Sequence, residues 1–361
     1  MRLTKALAIF LLGAVVIAVG CVSGTQQSNT GVAKKKKGPT DPIFIGFSMD
    51  TLKEERWQKD KILVEQRAKE LGVQVSIQVA NGDDNLQIKQ AENLLTQGVD
   101  VLIVAPHNGD VAASIVEAAK KQGVPVISYD RLIKNSDVDL YVSHQVVKIG
   151  EMQAKYLLDH VNKKPANFVI VGGSPTDNNA ILLHEGQMKV LKPAIDRGDV
   201  KLVTDQYAKE WQASAALNIV ENALTQAHNQ VDAIVCSNDG TARGAVQALE
   251  GQNLAGKVLV SGQDADLASL QYIVLGKQTM TIYKPIQPLA FAAVESAVKF
   301  ARGEKVDSTD TIDNGFKKVP AILLEPIAVD KDNLVSTLVK DGYHTLAEIC
   351  ANLPPDKCPK Q

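Results

Sequence analysis

From residue 43 onward, apolar and polar positions alternate in blocks rather than residue by residue. Short runs of β-branched and aliphatic residues are each followed by a longer amphipathic stretch. A continuous apolar run reads as a strand buried on both faces, and the amphipathic stretch as a helix covering it. Strands are predicted at 43–48, 73–79, 99–105, 124–129 and 139–143, with helices such as 54–71 and 84–97 between them. The pattern restarts after a long helix at 148–161 and Lys-Lys-Pro at 163–165. Strands follow at 167–171, 200–205, 232–237 and 257–261, with helices at 211–226 and 240–250. This order predicts an α/β protein of two similar doubly wound parallel-sheet lobes joined by a hinge near 144–147. The segment 279–330 adds two apolar stretches and a helix at 288–302, enough for a further element in each lobe. Periodicity alone does not say which lobe takes which.

Polar residues follow directly on several of the apolar runs. One run ends at Asp130-Arg131, another at Gly-Gly-Ser-Pro-Thr-Asp-Asn-Asn (172–179), a third at Asn238-Asp239 and a fourth at Gln263-Asp264. In an open parallel sheet, ligands bind outside the carboxyl ends of the strands. These groups should therefore line one cleft and bind a small, highly polar molecule.

The 361 residues suffice for about two domains of roughly 150 residues each. The net charge of −2 gives no electrostatic footprint for nucleic acid. The N-terminus reads differently from the rest. A basic start is followed by an apolar stretch from Ala6 to Gly20, which predicts a signal peptide over 1–20. Ile17-Ala18-Val19-Gly20-Cys21 is similar to a bacterial lipobox, with Cys21 as the lipidated residue. Residues 22–42 are rich in small polar residues and carry four consecutive lysines, Lys34 to Lys37, which reads as a solvated tether. Cys236 lies inside a strand pattern and suits a buried position. Cys350 and Cys358 flank Asn-Leu-Pro-Pro, and in an exported protein a local disulfide between them is expected. No Cys-x-x-Cys occurs and the six His are scattered, so neither a metal nor a cofactor is expected.

Only two Trp are present, Trp57 and Trp211, one predicted at the start of a helix in each lobe and both among polar residues. Flat aromatic faces suit the C–H faces of a sugar ring, and convergent polar groups suit its hydroxyl edge. Arg56, Asp130, Arg131, Asn178, Asn179, Asn238, Asp264 and Lys284 supply both donors and acceptors, as a polyol requires. Helix capping is the competing role for such residues, and Asp177 and Asp239 fit it. It does not account for Arg56, Arg131 or Lys284. Gly172-Gly173-Ser174-Pro175 lacks the glycine order of a dinucleotide site, no phosphate-binding P-loop occurs, and there is no G-x-S-x-G nucleophile elbow.

At these residues the chain resembles the periplasmic sugar-binding proteins of the ribose/galactose type that serve ABC transporters, and is especially similar to the D-xylose-binding members. The resemblance runs from about Ile43 to His344. It is carried by Glu55-Arg56-Trp57-Gln58-Lys59-Asp60, Tyr129-Asp130-Arg131, residues 172–180 and 186–193, Ser237-Asn238-Asp239, Ser261-Gly-Gln-Asp-Ala-Asp266 and Gln278-Thr-Met-Thr-Ile-Tyr-Lys-Pro285. It implies a type I periplasmic binding protein fold whose two lobes, joined by three crossovers, close on one monosaccharide. The implied first lobe is 43–144 with about 284–312. The second is 145–283 with about 313–344, and 345–361 form a C-terminal tail. Arg56, Trp57, Asp130 and Arg131 would contact sugar from the first lobe, Asn178 or Asn179, Trp211, Asn238 and Asp264 from the second, and Lys284 near the hinge. His144-Gln145 stand where the family usually has an Asp-Asn pair at the crossover, which puts the hinge hydrogen bonds in question. The resemblance further implies a monomeric, exported binding protein, lipid-anchored at the outer face of the cytoplasmic membrane or in the periplasm. It would hand D-xylose or a close aldose to an ABC permease, without catalysis. A sensor presenting sugar to a chemoreceptor or histidine kinase is the alternative, a glycoside-acting enzyme a lesser one. A repressor effector domain would need an N-terminal helix-turn-helix where this chain has its signal-like stretch.

Overall fold

Apolar runs that carry no polar face must be covered on both sides, and the chain does this twice. A computed structural model describes residues 34–359. The predicted signal segment and Cys21 lie outside the described residues.

The first lobe is built from β1 (Phe44–Met49), α1 (Glu55–Glu70), β2 (Gln74–Val79), α2 (Asp84–Thr96), β3 (Val101–Ala105), α3 (Ala113–Lys121), β4 (Val126–Tyr129) and β5 (Leu140–His144). The second begins with α4 (Val146–His160) and continues through β6 (Ala166–Gly172), α5 (Asn178–Asp196), β7 (Val200–Tyr207), a 3-10 turn at Lys209–Trp211, α6 (Ala213–Gln226), β8 (Ala233–Cys236), α7 (Asp239–Gly251), β9 (Leu259–Val260), α8 (Leu267–Val274) and β10 (Thr281–Tyr283). Then follow α9 (Ile286–Arg302), β11 (Asp310–Asp313), β12 (Lys318–Leu324), β13 (Ile327–Val329) and α10 (Leu346–Cys350).

The first sheet runs β11-β12-β5-β4-β3-β1-β2, parallel except for the edge strand β11. The second runs β7-β6-β8-β9, all parallel, and β10 pairs antiparallel with β13. In each lobe the first strand is flanked by the second and third, so the strand order reverses beside it. That reversal opens a crevice at the carboxyl ends, where a ligand can sit. Two apolar clusters cover the faces of the first sheet and two those of the second; a fifth joins α8, β10 and the C-terminal segment.

The chain crosses between lobes after β5, after β10 and after β12. The expected lobe boundary at 312 is corrected here: β12 pairs with β5 through Ala321–Tyr141 and Ile322–Val142, so residues up to Leu324 belong to the first sheet. The alternating burial of β12 gave no sign of its partner. The tether reading is corrected in part as well. Lys34 Nζ lies 3.4 Å from Asp100 and 2.8 Å from the Gly98 carbonyl, while Lys37 Nζ lies 3.4 Å from Asp100. The Lys37 amide donates to Ala301 O at 2.9 Å. Asp100 is almost fully buried, and a buried carboxylate recruits cations. The end of the lysine run is therefore docked on the first lobe. Within the second lobe α4 and α5 cross at their glycines. A Cβ on Gly186 would lie 1.9 Å from the Val147 carbonyl oxygen, and one on Gly150 2.0 Å from that of Leu183.

Candidate functional site

The carboxyl ends of the strands place the polar residues around one small cavity between the lobes. Arg56 and Trp57 stand on the first turn of α1, which follows β1. Asp130 and Arg131 follow β4 directly. Asp130 has φ 59°, a conformation that Asp tolerates better than most residues. Its carbonyl accepts from Tyr141 Oη at 2.9 Å and Ser143 Oγ at 2.7 Å, both on β5. The neighbouring strand thus fixes its turn.

Cations and carboxylates alternate through the site. Arg56 Nη1 donates to Asp130 Oδ2 at 2.6 Å and Arg56 Nε to Asp60 Oδ2 at 3.0 Å. Lys284 Nζ lies 3.1 Å from Asp264 and 3.5 Å from Asp130. Arg131 donates to Asp50 at 2.6 Å within its own lobe, and its Nε lies 2.8 Å from Asp177 across the cleft. Burial by itself would raise the Asp130 carboxyl, but Arg56 and Lys284 more than offset it and hold the group well below the usual carboxylate range. Asp60, deeper and equally buried, is pushed up to about 6 by desolvation, with Arg56 opposing. Asp50 falls to about 2: desolvation pushes it up, but the hydrogen bond from His107 and the Arg131 charge win. Both guanidiniums lie over the indole of Trp57, with Arg56 Cζ 4.3 Å and Arg131 Cζ 5.1 Å from its centroid.

From the second lobe come Asn179, Trp211, Asn238 and Asp264. Asn179 Nδ2 donates to the Asp130 carbonyl at 3.1 Å, a second bond across the cleft. Trp211 ends the 3-10 turn; Glu210 and Trp211 both have positive φ, 54° and 55°. Its indole lies against Gly173, where a Cβ would fall 2.1 Å from the ring, so glycine at 173 is a requirement of this packing. Asn238 caps α7, accepting from the Thr241 amide at 2.8 Å, and lines the same space.

Of the ten expected contacts, nine line the cavity: Arg56, Trp57, Asp130, Arg131, Asn179, Trp211, Asn238, Asp264 and Lys284. Asn178 does not. It opens α5, and consecutive helical residues point about 100° apart, so only Asn179 faces the cleft. Asp177 caps α5 as expected, through a 2.9 Å bond from the Asn179 amide, and also faces the cavity. Asp239 is not a cap. That role belongs to Asn238, and the Asp239 carboxylate is buried among Gln278, Thr281 and the Asp266 amide. Glu54 and Gln263 complete the lining; the sequence pattern puts Gln263 at the cleft, but neither is among the expected sugar contacts. Gln263 directly follows an apolar run and Glu54 lies two residues before Arg56, so position alone could have flagged both. His144, at the end of β5, is buried with neither ring nitrogen hydrogen-bonded among the described residues, and burial together with the Lys284 charge lowers it to about 3. A neutral imidazole thus occupies the crossover. Cys350 and Cys358 are joined as a disulfide and Cys236 is a buried free thiol.

Four buried polar atoms of the lining lack hydrogen-bond partners among the described residues: Glu54 Oε1 and Oε2, Trp211 Nε1 and Asp264 Oδ1, although the Lys53 charge lies beside the first and the Lys284 charge beside the last. Such orphans are rare and need an explanation. Three are acceptors and one is a donor, and all four belong to residues that line one cavity.

Residues 45–305 match the periplasmic binding protein domain. The chain belongs to the periplasmic binding protein family. This periplasmic binding protein is 52% identical to the D-xylose-binding periplasmic protein of Haemophilus influenzae and 49% identical to that of Escherichia coli K12. Each alignment covers 85% of this chain and 92% of the relative. Among solved structures, a carbohydrate transporter solute binding protein from Chloroflexus aurantiacus in complex with D-glucose superposes with a TM-score of 0.81 at 32% identity, covering 86% of this chain and 98% of that one. The two-lobed arrangement is accordingly the type I fold of periplasmic binding proteins.

Proposed function

We propose that this protein binds a single monosaccharide, D-xylose or a close aldose, in the cleft and delivers it to an ABC permease. The observation that carries the proposal is the set of orphaned groups. A hydroxyl donates one hydrogen bond and accepts two, so a polyol can satisfy Glu54 Oε2, Asp264 Oδ1 and Trp211 Nε1 together. An anion would be repelled by Glu54, Asp130, Asp177 and Asp264. An apolar ligand would leave these orphaned atoms buried and unsatisfied, at a cost of about 1–3 kcal/mol each. The D-xylose named for two relatives at about half identity supports a pentose over the D-glucose of the more distant solved structure.

Closure follows from the same geometry. The Arg131–Asp177 and Asn179–Asp130 contacts exist only when the lobes meet, and a bound sugar that bridges them favours that state. The closed pair presents a joint surface that a permease can read. Attachment to the membrane through a lipid on Cys21 is part of this proposal. Isothermal calorimetry tests it: D-xylose is expected to bind one-to-one at about micromolar affinity or tighter, with ribose, glucose, galactose and arabinose weaker. A folded, ligand-free sample that binds none of them would refute it. Intact aryl xylosides after incubation would distinguish binding from hydrolysis.

A further inference from the structure

The Asp264 carboxylate is held at an unusual piece of backbone. Asp264 has φ 98° and Ala265 φ 54°, two successive non-glycine residues in the left-handed half of conformational space. Such backbone persists only where the surroundings over-determine it. Here they do so from two sides. The amides are held within the lobe: Asp264 N donates to Ile282 O at 2.8 Å and Ala265 N to Thr281 Oγ1 at 3.3 Å. The carbonyls are held by the C-terminal segment: Tyr343 Oη donates to Asp264 O at 3.1 Å, and His344 Nε2 lies 3.1 Å from Ala265 O.

That segment is itself well anchored. Tyr343 packs against Tyr283 with ring centroids 4.9 Å apart, and Ile349 of α10 is fully buried in the cluster that also contains Ala265. The Cys350–Cys358 disulfide closes the end of it. Across the cleft, Lys59 on α1 of the first lobe donates to the Tyr343 carbonyl at 2.6 Å, and its ammonium lies 3.8 Å from the centroid of the Tyr343 ring. One residue therefore touches the binding turn of the second lobe with its hydroxyl and a helix of the first lobe with its carbonyl and ring.

We infer that Tyr343 is a positioning residue: it aims Asp264 into the cavity and, through Lys59, couples that aim to closure of the lobes. The inference rests on the sugar reading above. A group that acts only in the closed state should slow ligand escape rather than speed entry, so its loss should appear in the dissociation rate.

The test is stopped-flow measurement of D-xylose association and dissociation for the wild-type chain, Tyr343→Phe and Lys59→Met, together with Asp264→Asn and the Tyr343→Phe/Asp264→Asn double variant. Tyr343→Phe keeps the ring and removes only the hydroxyl. Its dissociation rate is expected to rise by roughly fivefold to tenfold, the effect of one hydrogen bond, with association and the unliganded thermal midpoint unchanged. Lys59→Met, on a different element, should move the dissociation rate in the same direction. In the Asp264→Asn background the Tyr343→Phe effect should largely vanish, which a merely structural contribution would not do. Wild-type dissociation in both single variants, or losses that simply add in the double variant, would overturn the inference and leave the sugar reading standing. Failure of the wild-type chain itself to bind xylose would overturn both.

Discussion

Asp264 is the residue on which the site depends most visibly. It pairs with Lys284, approaches Arg56 to 3.9 Å and keeps one oxygen without a hydrogen-bond donor. Replacing it with Ala should weaken xylose binding at least tenfold, since hydrogen bonds to a charged group contribute about 1.5–3 kcal/mol each. The far-ultraviolet circular dichroism spectrum should not change, and unchanged affinity in calorimetry would remove Asp264 from the site. At this scale the sequence was informative for a physical reason. Parallel strands deliver whatever follows them to one edge, so Asp130, Arg131, Asn238 and Asp264 could be placed from position alone. What stayed hidden was side-chain direction: Asn178 and Asn179 are indistinguishable as letters, and Asp239 looks like a cap until Asn238 is seen to hold the Thr241 amide. His144 was visible as an odd residue at the hinge, but its burial and low affinity for protons depend on neighbours far away in sequence.

Among the elements, the α4–α5 pair shows how closely the second lobe is fitted. Gly186→Ala would drive a methyl group into the Val147 carbonyl and force the two helices apart. A loss of roughly 2–3 kcal/mol in thermal stability is expected, in the range of other overpacking changes. Gly251→Ala, at the open end of α7 with nothing within 4 Å, should be neutral or slightly stabilising and serves as the control in the same thermal unfolding series. Most elements were legible to within a few residues because strand and helix periods differ so sharply. The exceptions share a cause. α6 starts at Ala213 and not at 211 because Glu210 and Trp211 take positive φ to lay the indole on Gly173. β12 belongs to the first sheet because of a pairing with β5 that crosses about 180 residues of sequence. Long-range pairing leaves no local trace.

For the molecule as a whole, the contacts across the cleft make closure sensitive to acid. His107 on the first lobe lies 2.9 Å from Asp50 and 3.6 Å from Glu210 of the second lobe. The hydrogen bond to Asp50 raises its pKa, against some desolvation, and the Glu210 charge adds to this only when the lobes meet. The closed form therefore binds a proton more tightly than the open one, so its advantage is present below the open-state value and is lost as pH rises through the closed-state value. Xylose affinity should decline as pH rises through and above the ordinary histidine range. His107→Gln should flatten that part of the profile when calorimetry is repeated across the range. A flat wild-type profile would show that Glu210 contributes too little to matter.

The docked lysines at the start of the described chain bear on how far the protein can roam. Asp100 precedes β3, so Lys34 and Lys37 grip the first lobe at the amino ends of its strands, the pole farthest from the cleft. If Cys21 carries the anchor, the leash is not the whole stretch to residue 42 but only the residues before Lys34. At the full extension of a peptide these reach roughly 45 Å. So anchored, the molecule would stay within that reach of the surface it is tied to. Search for a permease would then be a two-dimensional problem, with each encounter governed by rotation more than by diffusion through the surrounding fluid.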